Sequence, residues 1–300
     1  MVNRRTLLAT PLLLLAGQAR AEGWPRVMED GLGRRVEIAA PPQRIIGIFA
    51  SNVEMMASLG LVPRIIGIEA YTRFPPEVLN LPKVGGRLGF SAEAIARLTP
   101  DLVVMTPARQ AAHLLTEPLA RLGIPCIVVT HGDMPRIFAN IALLGEATGT
   151  EQRAAELLTG LPARLDAVAY RLAGRSPVRV FLETASTGRG AFSTPRPDTY
   201  TYDILLRAGA VAALPPLPAA GPPQVSGEAI LRANPDVYLL AGRPDQAAEV
   251  ARRPGFDGIA AVRNGRVHAV SRAELLIPGP RAVDGVENLA RLLHPEAFAA

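Results

Sequence analysis

Arginine and aromatic side chains stand directly after predicted strands, the positions at which open α/β sheets bind their ligands. In the first half of the chain, Tyr71 and Arg73 follow one predicted strand, and Thr106 and Arg109 follow another. A guanidinium group donates charge-assisted hydrogen bonds to anionic oxygens, and a tyrosine ring adds apolar contact area. These residues are therefore candidates for binding an anionic or oxygen-rich small molecule in a cleft at the carboxyl ends of the strands.

The candidates of the second half lie mostly in one long loop, residues 184–202, which is rich in glycine, threonine and proline. Loops of this length are usually either functional or disordered. The candidates are Arg189, Phe192, Arg196, Tyr200 and Tyr202, together with Arg272 after the last predicted strand. Across both halves the candidates are rich in arginine and modest in aromatic rings, which again favours an anionic or oxygen-rich ligand.

Two segments, one in each half of the chain, are nearly the same. Residues 91–105 are SAEAIARLTPDLVVM and residues 226–240 are SGEAILRANPDVYLL, with seven identities in the first eleven positions. The serine suits a helix N-cap, the glutamate two residues later is favoured by the helix dipole, and the proline ends the helix before a strand. The repeat predicts two similar lobes, each with one acidic residue at the start of an equivalent helix, Glu93 and Glu228.

The rest of the chain alternates short apolar runs with helical segments. Runs such as 44–49 and 178–182 are rich in β-branched residues and predict strands that are buried on both faces. Alternation of this kind predicts an α/β fold with mostly parallel sheets and helices on both faces. Together with the repeat, it predicts two Rossmann-like lobes.

A long helix is predicted between the two lobes, over residues 150–173, because apolar residues recur there at helical spacing. We interpret it as the single connection between the lobes, with a surface helix of one large domain as the alternative. The expected organisation is an N-terminal lobe over 22–149, a connecting helix over 150–174 and a C-terminal lobe over 175–300.

The first 21 residues predict an export signal that is removed after Ala21. Arg4 and Arg5 precede a short apolar stretch, and Ala19-Arg20-Ala21 fits a signal-peptidase site. The paired arginines favour twin-arginine export, and a Sec signal is the alternative. We expect the mature protein in the periplasm, without a lipid anchor, since no cysteine stands directly after the cleavage site.

Composition argues against several other function classes. The 32 basic and 27 acidic residues give a net charge of +5, and no cluster of basic residues follows the export signal, so nucleic acid is not an expected partner. No cofactor and no resident metal site are predicted, because the chain has one cysteine, Cys126, and four scattered histidines, His113, His131, His268 and His294. The common nucleotide-binding and hydrolase motifs are missing from the sequence, so an exported two-lobe enzyme is only an alternative to a binding protein.

Several segments resemble the class III periplasmic substrate-binding proteins of ABC importers, the group that binds cobalamin, iron–siderophores and haem. The segments, in addition to the repeat, are 30–46, 52–60, 74–85 and 280–296. The resemblance covers essentially all of the mature chain. It implies two lobes joined by one long helix, a small-molecule ligand between them, and a monomeric protein that delivers this ligand to a permease dimer in the inner membrane.

The resemblance also implies a role for the repeated acids. Members of this family carry one exposed glutamate on each lobe, and the two dock on arginines of the permease. Glu93 and Glu228 match those positions. The alternative is that both acids only stabilise helix N-termini, by about 0.3–1 kcal/mol each.

The ligand class is suggested by one further position. Family members that bind hydroxamate siderophores have an arginine six residues before the first docking glutamate, where cobalamin-binding members have a tryptophan. This chain has Arg87 there, and its only tryptophan, Trp24, lies near the start of the mature chain. The partly anionic oxygens of a ferric complex would accept hydrogen bonds from Arg87. We therefore expect an iron–siderophore of the hydroxamate type, with haem, cobalamin, an oxoanion or a metal ion as alternatives.

Overall fold

The computed structural model describes residues 23–86, 89–106, 112–218, 221 and 223–299. The elements of the first half are β1 Arg26–Glu29, β2 Arg35–Ile38, β3 Ile45–Gly47, α1 Ala50–Ser58, β4 Ile65–Ile68, β5 Gly85–Gly86, β6 Gly89–Phe90, α2 Ala92–Ala96, β7 Leu102–Met105, α3 His113–Arg121, β8 Cys126–Val128, α4 Met134–Thr148 and α5 Glu151–Leu172. The predicted export signal lies outside the described residues.

The elements of the second half are β9 Val178–Glu183, β10 Ala185–Ser186, β11 Ala191–Ser193, α6 Tyr200–Arg207, β12 Ala210–Ala212, β13 Gln224–Ser226, α7 Gly227–Ala233, β14 Val237–Ala241, α8 Pro244–Val250, α9 Ala260–Arg263, β15 Val267–Val270, α10 Arg272–Leu275 and α11 Ala282–Leu293. None of the helices in the described part of the chain is both long enough and apolar enough to cross a membrane.

In the part of the chain that the structure describes, each lobe is built around one four-stranded parallel sheet. Their strand orders are equivalent, β4-β3-β7-β8 in the N-terminal lobe and β12-β9-β14-β15 in the C-terminal lobe. The central strands β3, β7 and β14 are buried at every position, because helices cover both faces of each sheet. The predicted α/β fold with two mostly parallel lobes is confirmed.

The sequence repeat is also a structural repeat. The hydroxyl oxygens of Ser91 and Ser226 accept hydrogen bonds from the amides of Ala94 and Ala229, each at 3.2 Å. Serine therefore caps α2 and α7 in the same way, as the sequence predicted. The two helices also end alike, since Thr99 and Asn234, which occupy the same position in the two copies, have positive φ angles of 46° and 45°.

A second pair of equivalent residues, not predicted from the sequence, supports the ends of the same helices. Arg44 donates hydrogen bonds to the carbonyl oxygens of Leu98 and Thr99. Arg179, its counterpart in the C-terminal lobe, donates to the carbonyls of Ala233 and Asn234. In both lobes an arginine at the start of the first central strand thus satisfies carbonyls at the end of the repeated helix, a favourable place for a cation.

Helix α5 packs against helices of both lobes. It contacts α4 on one side and α11 and α6 on the other, and buries Ala154, Leu161, Leu165 and Val168. The approach to α4 is close, because a Cβ added at Gly145 would lie 2.6 Å from the Cβ of Ala154. Helix α5 belongs to one apolar core that runs from the N-terminal sheet through α4, α5, α11 and α6 to the C-terminal sheet. The other face of each sheet packs on a separate cluster.

Two polar contacts outside α5 also join the lobes. Arg281, just before α11, makes a two-pronged ion pair with Glu54 in α1, and its guanidinium lies 4.3 Å from the centre of the Phe74 ring. The side chain of Glu54 is only 2% exposed, so the charge is satisfied almost entirely by Arg281. At the second contact, the backbone amide of Met134 donates to the Asp203 carboxylate at 3.0 Å.

Glu54→Ala is expected to destabilise the protein, because it leaves Arg281 without its partner at a largely buried position. Removing one partner of a buried pair costs about 3–5 kcal/mol, and the part of Arg281 that reaches solvent places the loss near the lower end. The measurement is denaturant unfolding. Glu156→Ala is the control, since its ion pair with Arg153 is exposed and is worth at most about 1 kcal/mol. Equal losses in the two variants would show that the Glu54–Arg281 pair does not hold the lobes together.

Candidate functional site

The carboxyl ends of the N-terminal strands bring two of the predicted residues to the surface. Tyr71 and Arg73 follow β4, and the Tyr71 side chain is 53% exposed. Arg73 is also exposed, and its Nη1 donates to the carbonyls of Ala70 and Thr72 at 2.8 and 2.9 Å. These local bonds hold the guanidinium close to its own loop, at the edge of the sheet where the sequence places a ligand.

The carboxyl ends of the C-terminal strands surround a cavity of about 500 Å³. Arg272 lies at this cavity, and its Nη1 donates to the carbonyls of Thr184 and Ala241 at 2.8 and 3.1 Å. The two bonds fix one nitrogen of the guanidinium to the ends of β9 and β14. Gln246 and Ser186 add neutral polar groups to the same wall, so the cavity offers several hydrogen-bonding groups to a ligand.

His131 and Tyr200 meet between the lobes, with ring centroids 6.5 Å apart in an edge-on arrangement. His131 follows β8 and is accessible to solvent, whereas Tyr200 begins α6 and is half-buried. Neighbouring protein atoms shield part of the His131 ring from water, and this desolvation lowers its pKa below the ordinary value of 6.5. Burial raises the pKa of Tyr200 to about 12, so its hydroxyl stays protonated.

Two predicted ligand contacts, Thr106 and Phe192, lie inside the protein. Thr106 is buried, and its hydroxyl pairs with the side-chain amide of Asn52, so it braces β7 against α1. Phe192 is 6% exposed, because β11 pairs with β10 and β13 and turns this ring into the core of the C-terminal lobe. The side chains of Thr106 and Phe192 are therefore not available to a ligand in the cleft in this structure. Tyr202 is half-buried and lines a small cavity of about 20 Å³ together with Leu205.

Of the other predicted residues, the structure describes Arg189 and Arg196. Arg189 is exposed at the tip of the β10–β11 hairpin, and Arg196 is half-buried and donates to the carbonyl of Gly221. The hairpin tip lies beside α7, because the amide of Gly227 donates to the carbonyl of Gly190 at 3.1 Å. Arg87 and Arg109 lie outside the described residues.

Two residues at the ends of β3 and β4, Phe49 and Glu69, were not among the predicted site residues. Phe49 has φ 77° and ψ 136°, a conformation that costs energy in any residue with a side chain, and its ring lies 6.3 Å from that of Phe90. Glu69 is buried, and its carboxylate accepts a hydrogen bond from the amide of Ala50, at the start of α1. It supplies the acceptor that Phe49, at the N-cap position, lacks. Phe49 is the last residue of an apolar run, and Glu69 belongs to no recognisable motif. The sequence therefore did not indicate a special role for either residue.

Burial raises the pKa of Glu69 above its ordinary value of 4.5, although the hydrogen bond from Ala50 and the charge of Arg73 oppose the shift. A raised folded-state pKa contributes stability that is present at pH values below 4.5 and is lost as the pH rises through the folded-state pKa. Glu69→Gln keeps an acceptor for Ala50 but never ionises. The melting temperature of this variant relative to the unmodified protein should therefore rise between pH 4 and pH 7.

Thermal unfolding at several pH values is the measurement. Glu77→Gln, an exposed glutamate that follows Glu69 by eight residues, is the matched control. A difference between Glu69→Gln and the unmodified protein that stays constant with pH would mean that Glu69 is not held in an environment that opposes its charge.

The repeated acids lie at equivalent exposed positions. Glu93 and Glu228 each occupy the second position of a capped helix that leads into a central strand, so each lies near the carboxyl edge of its own sheet. The hydroxyl of Ser91 donates to the Glu93 carboxylate at 2.7 Å and lowers the pKa of that group, which keeps it ionised. Each lobe thus presents one carboxylate to solvent on the same side as its candidate ligand residues.

A direct metal site finds no support in the described ranges, which contain no group of three or more histidine, cysteine, aspartate or glutamate side chains placed to hold a metal ion. His268 lies within β15 and His294 is buried at the end of α11, where its Nε2 faces the carbonyl of Gly209 at 2.9 Å. Besides Arg272, Ser186 and Gln246, the cavity of the C-terminal lobe is lined by two acidic residues, Glu183, which pairs with Arg253, and Glu249.

Comparison with known proteins agrees with this geometry. A sequence model described as periplasmic binding protein matches residues 45–272. An uncharacterized ABC transporter substrate-binding lipoprotein of Bacillus subtilis is 28% identical over 286 residues, which cover 93% of this chain and 88% of that protein. A vitamin B12-binding protein of Pectobacterium carotovorum is 27% identical over 213 residues, which cover 70% of this chain and 75% of that protein.

A solved structure of a transport protein is also similar to this chain. An ABC-type Fe³⁺-hydroxamate transport system protein from Saccharomonospora viridis matches with a TM-score of 0.71 and 25% identity, covering 92% of this chain and all of that one. The chain belongs to the periplasmic binding protein family, as a class III substrate-binding protein of an ABC importer. The prediction that it is not an enzyme is confirmed by these relatives. Membership implies an extracytoplasmic location, a small-molecule ligand and a membrane permease as partner.

Proposed function

We propose that this protein captures a ferric siderophore of the hydroxamate type between its lobes and delivers it to a permease dimer in the inner membrane. The observation that carries the proposal is Arg272, anchored on two strand-end carbonyls beside the cavity of about 500 Å³. A guanidinium held in this way gives directed hydrogen bonds to partly anionic oxygens with little loss of side-chain entropy. Arg73 is held by two carbonyls at the strand ends of the other lobe.

An oxygen-rich ligand fits these residues better than a corrin. Trp24 is 9% exposed and packs near Gly149, at the end of α4, so its indole belongs to the apolar core. The similar proteins differ in the ligands for which they are named, since one is named for vitamin B12 and a structural neighbour for Fe³⁺-hydroxamate transport. The arginines of this chain favour a ferric hydroxamate over vitamin B12. We keep Arg87, Arg109, Arg189 and Arg196 as proposed ligand contacts.

The proposed route to the site of action is export with cleavage after Ala21, by the twin-arginine or the Sec pathway, into the periplasm. The mature protein would act there as a monomer. The adjacent Arg4 and Arg5 provide the basis for the first pathway.

A thermal-shift panel tests the ligand class. It should contain ferric hydroxamates, ferric catecholates, haem, cobalamin and molybdate. A ligand present at 100 times its Kd stabilises the folded state by about 2.7 kcal/mol, which raises the Tm by several degrees. We expect the shift with the ferric hydroxamates. A shift with cobalamin or haem alone would contradict the proposed ligand while leaving the family assignment intact.

Arg272→Ala and Arg87→Ala should each weaken binding of the ligand found by the panel. Each loses a hydrogen bond from a charged donor, worth about 1.5–3 kcal/mol, so the Kd should rise about 10- to 150-fold. Arg252→Ala is the control, since Arg252 is exposed on the segment after α8. Calorimetry with the identified ligand is the measurement. An unchanged Kd would remove the substituted arginine from the site.

The double variant Glu93→Ala/Glu228→Ala should lose transport and keep its ligand affinity, because the two carboxylates are exposed and would pair with arginines of the permease. Each single variant should lose part of the docking, chiefly at low salt, where exposed ion pairs are least screened. Ligand Kd and uptake are measured together. Glu37→Ala/Asp257→Ala removes one exposed acid from each lobe and is the control. Normal uptake by the first double variant would exclude the docking role.

A further inference from the structure

A second cavity of the C-terminal lobe lies beside Glu228, between the β10–β11 hairpin and the first turns of α7. Its volume is about 590 Å³, which is ample for a large side chain. The walls are mainly apolar and include Phe192, Leu231, Pro254 and Phe256, while Glu228 stands at the edge. Exposed apolar concavities with a polar rim are typical of interaction sites.

The interior of this cavity carries a charge that is already neutralised. Arg253 enters the wall, but its Nη1 donates to the Glu183 carboxylate at 2.6 Å and to the Tyr238 hydroxyl at 2.9 Å. Its guanidinium also lies 4.9 Å from the centre of the Phe192 ring and 5.7 Å from that of Phe256. Because the Arg253 guanidinium is already paired with a carboxylate and stacked on aromatic rings, the cavity does not need an anionic ligand to balance its charge. Aromatic and aliphatic surface is what the cavity has to offer.

Glycine keeps the cavity open at a position where the N-terminal lobe has a side chain. Gly227 is the counterpart of Ala92 in the repeat. A Cβ at Gly227 would lie 3.5 Å from both the Phe192 and the Phe256 ring, an ordinary contact distance, so an alanine fits there. A longer side chain would extend between the rings and occupy the cavity. The two copies of the repeat therefore differ at the residue that lines this space.

We propose that this cavity receives an apolar side chain of the permease, next to the basic residue that pairs with Glu228. The inference rests on the docking role of Glu228 proposed above. Cavity and carboxylate share the first turns of α7, so a permease segment that pairs with Glu228 must lie across the cavity mouth. The acidic rim matches a basic residue of that segment, and the neutral aromatic interior matches an apolar neighbour. Burial of such an anchor at the centre of a contact would supply affinity that the exposed ion pair alone does not.

The test is the binding of variants to the cognate permease in lipid nanodiscs, with association and dissociation rates measured at low and high salt. Gly227→Leu fills the cavity and should raise the Kd about tenfold, mainly through faster dissociation and equally at both salt concentrations. Gly227→Ala, which copies the N-terminal lobe, is the matched control and should bind nearly as the unmodified protein does. Glu228→Gln should instead slow association, and only at low salt.

Further measurements separate the possible outcomes. Pro254→Lys, a substitution at an exposed position, narrows the mouth and repels a basic segment, so it should also weaken binding even if Gly227→Leu fails to fold. Normal binding by both Gly227→Leu and Pro254→Lys overturns the cavity proposal, and docking through Glu228 stands if Glu228→Gln still binds slowly. Loss of ligand affinity in Gly227→Leu would assign the cavity to the ligand instead. A dimer of this chain that Gly227→Leu dissociates would make a second copy the occupant and would likewise overturn the proposal.

Discussion

The need to bury both faces of two parallel sheets determines the arrangement of this protein. A parallel sheet is stable only under two layers of helices, and here the inner layers of both lobes merge into one apolar core. Helix α5 is the shared member, packed on α4 and on α11 and α6. Because each sheet is thereby fixed to the same helical layer, the carboxyl ends of its strands have a defined place relative to those of the other. This core therefore determines where the residues that face the space between the lobes lie.

Backbone carbonyls place several of the arginines near the repeated helices and the strand ends. Arg44 and Arg179 close the ends of the repeated helices, and Arg73 and Arg272 are held in the same manner at the strand ends. A guanidinium has five donors, so bonds to carbonyls orient it and still leave it cationic. The one lysine of the chain, Lys83, is held in the same way, since its Nζ donates to the carbonyl of Leu79 at 2.7 Å.

The sequence predicted what depends on local chemistry. Serine caps, the two glutamates and the strands after the proline are encoded within one short segment, and the repeat made them visible twice. Long-range pairing was not predictable. The ion pair between Glu54 and Arg281 joins residues 227 positions apart, and no local pattern announces it. The segment 184–202 had the composition of a loop, yet pairing of β10, β11 and β13 turns Phe192 into the core. Whether a strand-end residue such as Thr106 faces the core or the solvent depends on residues distant in the sequence, here Asn52, and local patterns do not reveal such contacts.

Arg253 borders two cavities of the C-terminal lobe, the one at the strand ends with Arg272 and the one beside Glu228. Ser186 and Gly188 of the same hairpin also line both. The partition between the two spaces is therefore a single layer of residues, and an occupant that displaces the guanidinium on one side alters the shape of the other. Thermodynamic linkage makes such an effect mutual: if filling one space lowers affinity at the other by some factor, the second occupant lowers affinity at the first by that same factor. If the ligand and the permease side chain proposed above occupy these two spaces, ligand release and docking on the permease would be coupled by that factor.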